Sequence, residues 1–179
     1  MRIISGKYKG KRLIAPAKLP VRPTTDFAKE ALFNILNNQF YFDEITVLDL
    51  FSGTGNISFE FASRGVNDIT AVDGNAGCIK YISKIKDELD FPIKPVKSDV
   101  FAYLEKTNQT ADIIFADPPY DFTDEQFMRI VTLVDENNLL NEEGTLIIEH
   151  SKHTDLSKCN GFIEQRKYGG SAFSFFEFE

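Results

Sequence analysis

Apolar residues along this chain follow two distinct periods. Short, nearly unbroken apolar runs occur at Thr46-Val47-Leu48-Asp49-Leu50, Ile69-Thr70-Ala71-Val72, Asp112 to Ala116 and Thr145 to Glu149. Their length and β-branched content predict strands buried on both faces. Between them, apolar positions recur at helical spacing over Asn56 to Arg64, Asn75 to Leu89, Val100 to Glu105 and Asp124 to Asn137. A further strand is placed just before Lys97-Ser98-Asp99-Val100. Strands alternating with helices predict an α/β fold with a mostly parallel sheet, right-handed crossovers and helices on both faces. The tail differs, because the β-rich runs Phe162 to Tyr168 and Ala172 to Phe178 flank Gly169-Gly170-Ser171, the signal of a closing antiparallel hairpin. Ahead of the sheet, Ile3 to Leu13 reads as a short β-hairpin with Gly6 or Gly10 near its turns. After Pro20 to Thr25, Asp26 is positioned to cap a helix running to about Asn38, with Phe27, Ala31, Leu32 and Ile35 on one face. The expected organisation is an extension over residues 1–25 and one domain over residues 26–179.

Composition bounds this picture. A chain of 179 residues with 42% hydrophobic content can bury one sizeable core. Seventeen phenylalanines and no tryptophan predict that most rings are structural. No apolar run approaches the roughly 20 residues that span a bilayer, and the amino terminus lacks a signal-peptide core, so a cytoplasmic protein is expected. Cys78 and Cys159 lack metal-ligand spacing and read as buried or incidental thiols, and His150 and His153 as ordinary loop histidines, so no metal site is expected.

A net charge of −7 and a pI near 4.9 argue against a generic nucleic-acid binder. The distribution changes that conclusion. Arg2, Lys7, Lys9, Lys11, Arg12, Lys18 and Arg22 all precede the first acid, Asp26. A local cationic arm can contact phosphates while the rest of the surface stays acidic. The plainer alternative is a solvated basic hairpin with no partner.

Candidate chemistry sits at strand ends. Asp117-Pro118-Pro119-Tyr120 follows Ile113 to Ala116, placing a carboxylate, a rigid turn and an aromatic ring where a buried strand becomes a loop. An exocyclic nucleobase amine is a poor nucleophile because its lone pair is delocalised into the ring. The Asp117 carboxylate and the Pro118 carbonyl can accept its hydrogens and turn the lone pair toward a methyl donor, while Tyr120 stacks on the base. A plain turn would use the same residue types. Upstream, Phe51-Ser52-Gly53-Thr54-Gly55-Asn56 joins a strand to a helix. Ser58 stands where a dinucleotide fingerprint needs glycine, and no Walker lysine is present, so phosphate cradling is not expected. Asp49, Asp73 and Asp99 instead suit a ligand carrying an amino group, a ribose and an adenine, respectively, although each alone could simply cap a helix.

Together these motifs resemble the class I S-adenosylmethionine-dependent methyltransferases, and within them the RsmD-type ribosomal-RNA guanine-N2 methyltransferases. Arg2-Ile3-Ile4-Ser5-Gly6, Lys9-Gly10-Lys11-Arg12-Leu13, Arg22-Pro23-Thr24-Thr25-Asp26 and Glu30-Ala31-Leu32-Phe33-Asn34 resemble that family's amino-terminal segment. The resemblance implies a Rossmann-like, seven-stranded fold and S-adenosylmethionine held by Asp49, Phe51, Ser52, Gly53, Thr54, Gly55, Asp73, Asp99 and Val100. It also implies catalysis by Asp117, Pro118 and Tyr120, and contact of Lys9, Lys11, Arg12, Arg22 and Thr24 with small-subunit ribosomal RNA, naked or within a 30S particle. A monomer is the default expectation. Other amino methyltransferases acting on adenine N6 or protein glutamine share the catalytic motif, and a non-catalytic assembly factor with this fold is a further alternative.

Overall fold

The computed structural model describes Met1–Glu179. Seven strands form one sheet: β1 (Thr46–Leu50), β2 (Asp68–Asp73), β3 (Ile93–Lys97), β4 (Ala111–Ala116), β5 (Leu140–Ser151), β6 (Phe162–Tyr168) and β7 (Ser171–Phe176). Their order is β3-β2-β1-β4-β5-β7-β6. The first five are mutually parallel, β7 inserts antiparallel beside β5, and β6 closes antiparallel against β7. Strand order reverses between β1 and β4, which opens a crevice at the carboxyl ends of the parallel strands.

Five helices cover the sheet: α1 (Asp26–Asn37), α2 (Asn56–Ser63), α3 (Ala76–Leu89), α4 (Val100–Lys106) and α5 (Asp124–Glu136). The two-residue strand period divides the core. Val47, Ile113, Phe115 and Ile147 pack with residues of α1, α2 and α3, while Leu48, Leu50, Ile114 and Ile148 pack with Leu104 of α4 and Ile130 and Val134 of α5. Phe33, Phe42 and Phe61 meet edge to face with centroids 4.6 to 6.0 Å apart. Each such fully buried ring contributes on the order of 2 kcal/mol through area alone. No helix is long and apolar enough to cross a membrane.

Several local expectations need correction. Thr25, and not Asp26, caps α1, accepting from the Ala28 amide through its hydroxyl. The buried face of α1 is Ala28, Lys29, Leu32, Phe33 and Leu36, whereas Phe27 is 68% exposed. Lys29 displaced the expected register because its ammonium has buried partners, which a simple apolar count overlooks. The expected β-hairpin over Ile3 to Leu13 is present as a short antiparallel pairing and not as two full strands: Arg2 bridges Arg12, Ile3 N donates to Lys11 O at 2.9 Å and Leu13 N to Met1 O at 3.0 Å. Its pairing is short because the segment turns to lie on α2. Gly6 has φ +84°, and a Cβ there would fall 1.9 Å from the Ser63 carbonyl oxygen. Strand β5 begins at Leu140 instead of Thr145, and β7 ends at Phe176. His150 lies in β5, buried, with its ring nitrogens 2.7 Å from Ser174 Oγ and 2.8 Å from the Ser151 carbonyl oxygen. It is a structural strand residue and not a loop histidine.

Candidate active site

Alternation along the strands decides where the acids point. Val47, Ala71, Phe115 and Ile147 face the core beneath α1, α2 and α3, so residues two further along their strands share that side of the sheet. Those residues are Asp49, Asp73, Asp117 and Glu149. All four lie at the carboxyl ends of β1, β2, β4 and β5, around the point where strand order reverses. A cleft of about 550 Å³ opens there, lined by Asp49, Asp73, Asp99 and Asp117 together with the glycine turn.

The turn after β1 is held in an unusual backbone path. Phe51 adopts φ +55° and Gly55 φ +87°, and the Ser52 amide donates to the Val72 carbonyl at 3.0 Å. Gly55 does not line the cleft. It serves as the left-handed N-cap of α2, where a Cβ would press on Phe59 and Ile82 at 3.0 Å. Phe51, Ser52, Gly53, Thr54 and Val100 do line it. The Asp73 carboxylate accepts from Gly53 N at 2.9 Å and Asn75 N at 2.8 Å, which fixes it at the turn. Asp49 accepts from Ser58 Oγ at 2.6 Å; burial pushes its carboxyl up to about 7, with the Ser58 hydrogen bond opposing. Asp99 lines the cleft and also caps α4, accepting from Ala102 N at 2.9 Å, so the capping alternative holds for one of its oxygens.

The side chains fit S-adenosylmethionine. Ser52 Oγ is buried on the cleft wall with no hydrogen-bond partner, an unmet polar atom of the kind a polar ligand completes. The carboxylates of Asp49, Asp73 and Asp99 line the same cleft. Phe51 and Phe122 line the cleft with ring centroids 5.5 Å apart, and Phe101 stacks on Phe122 at 5.9 Å.

The strap Pro20 to Thr24 also lines the cleft. Thr24 Oγ1 donates to Glu149 Oε2 at 2.5 Å, and Asn56 Nδ2 donates to the Thr24 carbonyl at 3.0 Å. The Arg22 guanidinium lies 5.1 Å from the Tyr120 ring centroid, and Tyr120 is 46% exposed. Arg22 therefore already occupies one face of the ring expected to stack on a base. Burial, then the neighbouring charges of Glu149 and Asp49, hold the Asp117 carboxyl well above the usual carboxylate range, while Arg22 pulls it down.

Of the expected substrate contacts, Arg22 and Thr24 border the cleft, and Lys9, Lys11 and Arg12 do not. The latter three are exposed on the amino-terminal reversal. Sequence reasoning missed Glu149, Ser58, Asn56 and Ser171. Glu149 had a usable signal: an ionisable residue ending an apolar strand, the same pattern that marked Asp117. The other three are partners of site residues through tertiary contact, and no local pattern marks them.

A model of the family described as "Conserved hypothetical protein 95" matches residues 1–177. The Bacillus subtilis protein YlbH is 36% identical over 90% of this chain and 88% of its own length. Ribosomal RNA small subunit methyltransferase D of Buchnera aphidicola is 32% identical over 83% of this chain and 75% of its own. Among solved structures, yhhF from Escherichia coli superposes with a TM-score of 0.86 at 23% identity, covering 98% of this chain and 96% of that one. A Thermus thermophilus 16S rRNA N2 methyltransferase, in complex with AdoMet and guanosine, superposes with a TM-score of 0.71 at 19% identity over 90% of this chain and 45% of its own. The match across nearly the whole chain places this protein in the Conserved hypothetical protein 95 family, the RsmD-type class I methyltransferases that its motifs resemble.

Proposed function

We propose that this protein transfers a methyl group to the exocyclic N2 amine of one guanine in small-subunit ribosomal RNA. The observation that carries the reading is the meeting of Asp117-Pro118-Pro119-Tyr120 with Asp49, Asp73 and Asp99 around one cleft bordered by the cationic strap. Bound S-adenosylmethionine supplies an electrophilic methyl group on a positively charged sulfur. Asp49, Ser52, Asp73 and Asp99 hold and orient it. Asp117 and the Pro118 carbonyl accept the two amine hydrogens, which directs the nitrogen lone pair out of the base plane and toward the methyl. Tyr120, backed by Arg22, holds the base plane. The extra proton on the methylated amine leaves to Asp117.

Residues 1–25 are read as the RNA-contacting extension of a catalytic domain spanning residues 26–179. Lys9, Lys11 and Arg12 serve phosphates at a distance from the reacting base, with Arg22 and Thr24 near it. Such contacts add salt-dependent affinity and leave selection to the cleft. The protein acts as a cytoplasmic monomer on RNA already folded into the small-subunit particle.

The test is transfer of labelled methyl from S-adenosylmethionine to small-subunit particles and to their naked RNA, with nucleoside analysis. N2-methylguanosine at one position, favoured in the particle, is expected. N6-methyladenosine, or label on protein alone, would overturn the substrate; bound cofactor with no transfer would overturn the enzymatic reading.

A further inference from the structure

Glu149 has no role in the scheme above, yet it is only 3% exposed and lies near the carboxyl end of β5 beside the cleft. The Ala116 to Ile148 pairing of β4 and β5 leads directly to Asp117 and Glu149, so the parallel register sets the two carboxyl groups on neighbouring strands and one face. Two other segments meet at the same side chain. Thr24 of the strap donates to it at 2.5 Å, and Ser171 of the closing hairpin lies beside it, with Ser171 Oγ 3.2 Å from the Tyr120 hydroxyl. A glutamine would satisfy Thr24 and Ser171 equally well through its carbonyl and amide. Hydrogen bonding alone therefore does not account for an acid here, where burying a charge is costly. What a carboxylate adds is charge, and its neighbour is Asp117.

We propose that Glu149 is a positioning residue for methyl transfer, fixing the strap and hairpin around Tyr120 and making Asp117 the stronger acceptor for the amine proton. The proposal rests on the reading in which Asp117 receives the substrate amine. In that step the nitrogen–methyl bond forms as the sulfur–methyl bond breaks, and the nitrogen's surplus proton passes to the Asp117 carboxylate. Asp117 faces Glu149 from β5, Asp49 from β1 and Arg22 from the strap, while Glu149 faces Arg22 and the neutral hydroxyls of Thr24 and Ser171. The two acids raise the proton affinity of Asp117 and Arg22 lowers it.

Glu149→Gln removes the charge and keeps the shape, whereas Glu149→Ala removes both. The Asp117 carboxyl titration, followed by carbon-13 NMR and assigned by its loss in Asp117→Asn, is expected to fall by about one pH unit in Glu149→Gln. The acidic limb of the methyl-transfer rate on small-subunit particles should move down in step, while the pH-independent plateau of kcat above that limb falls by about three- to tenfold. Glu149→Ala should in addition raise KM for RNA. An Asp117 titration unmoved in Glu149→Gln overturns the proposal. So does equal loss of activity in both variants with the acidic limb in place, since that is the mark of packing alone. A wild-type protein that methylates no ribosomal RNA overturns the proposed substrate instead, and the NMR titration, which needs no RNA, separates the two failures.

Discussion

Removing Glu60 should cost this protein far more than removing its cationic partner Lys29. Glu60 is fully buried and accepts from Ile4 N at 2.9 Å, Ser5 N at 3.1 Å and Arg64 Nε at 2.9 Å, with Lys29 Nζ at 3.6 Å. Lys29 is 1% exposed and also donates to Arg2 O at 2.6 Å and Asn56 Oδ1 at 2.8 Å. Glu60→Ala leaves an ammonium buried without its nearest anion and releases the amides that seat the amino-terminal segment. A broken buried pair of this kind costs about 3–5 kcal/mol, a large share of a domain's usual 5–15. Lys29→Met keeps the volume, and Glu60 retains Arg64 and both amides; the unpaired Arg2 and Asn56 oxygens then cost about 1–3 kcal/mol. The two losses should not add, because Lys29→Met removes the charge that makes Glu60→Ala expensive. A pH dependence follows as well. Burial, against the opposing pull of Glu60, holds Lys29 below its ordinary value of 10.5. The folded state thus binds fewer protons than the unfolded one, and stability rises with pH toward that value. Losing Glu60 lowers Lys29 further, so the penalty of Glu60→Ala should shrink between pH 7 and 9.5. Urea unfolding of both single variants and the double variant at those two pH values measures all of this. A Lys29→Met cost equal to that of Glu60→Ala, or a Glu60→Ala penalty independent of pH, would refute the reasoning.

Other expectations concern the cleft. Asp117→Asn should reduce methyl transfer on the order of a hundredfold or more with cofactor affinity nearly unchanged, measured by single-turnover transfer beside calorimetric titration; parallel losses would remove Asp117 from the reacting end. Asp49 titrates near 7, and only its ionised form attracts an ammonium group, so S-adenosylmethionine affinity should strengthen from pH 6 to pH 8. That dependence should vanish in Asp49→Asn, and a flat profile in the wild type would contradict the assignment. Gly6→Ala should unseat the amino-terminal reversal, since its Cβ would meet the Ser63 carbonyl and its φ is left-handed. Faster amide exchange at residues 3–11, with little change in the sheet, is the expected signature.

The alternating architecture was readable because its strands are buried on both faces and write themselves as unbroken apolar runs. Asp49, Asp73 and Asp117 were readable for a related reason, each interrupting or ending such a run, and Asp99 by its place just after the next expected strand. The amino-terminal segment resisted the same approach. Phe27 fits a helical apolar stripe, yet the face that turns inward carries Lys29, whose burial depends on Glu60 thirty-one residues away. Thr25 outcompeted Asp26 as cap by a single position, a choice set by where the strap enters the helix. The strap itself carries no periodic signal, and its course over the cleft is fixed by Thr24 meeting Glu149 and Asn56, contacts that no local pattern encodes.

The strand order has one more implication, for how this protein behaves among its own copies. Every open sheet margin is a template onto which another chain can zip. Here the margins are β3 and β6. Strand β3 carries Pro95, which has no amide hydrogen to offer, between Lys94 and Lys97. Strand β6 is irregular between Phe162 and Glu164 and bears the charged residues Glu164, Arg166 and Lys167. The aromatic-rich strand β7, the most adhesive segment of the tail, is enclosed between β5 and β6. A sheet so rich in phenylalanine is thereby kept from crosslinking through its backbone, and crowding brings its copies together only through side chains.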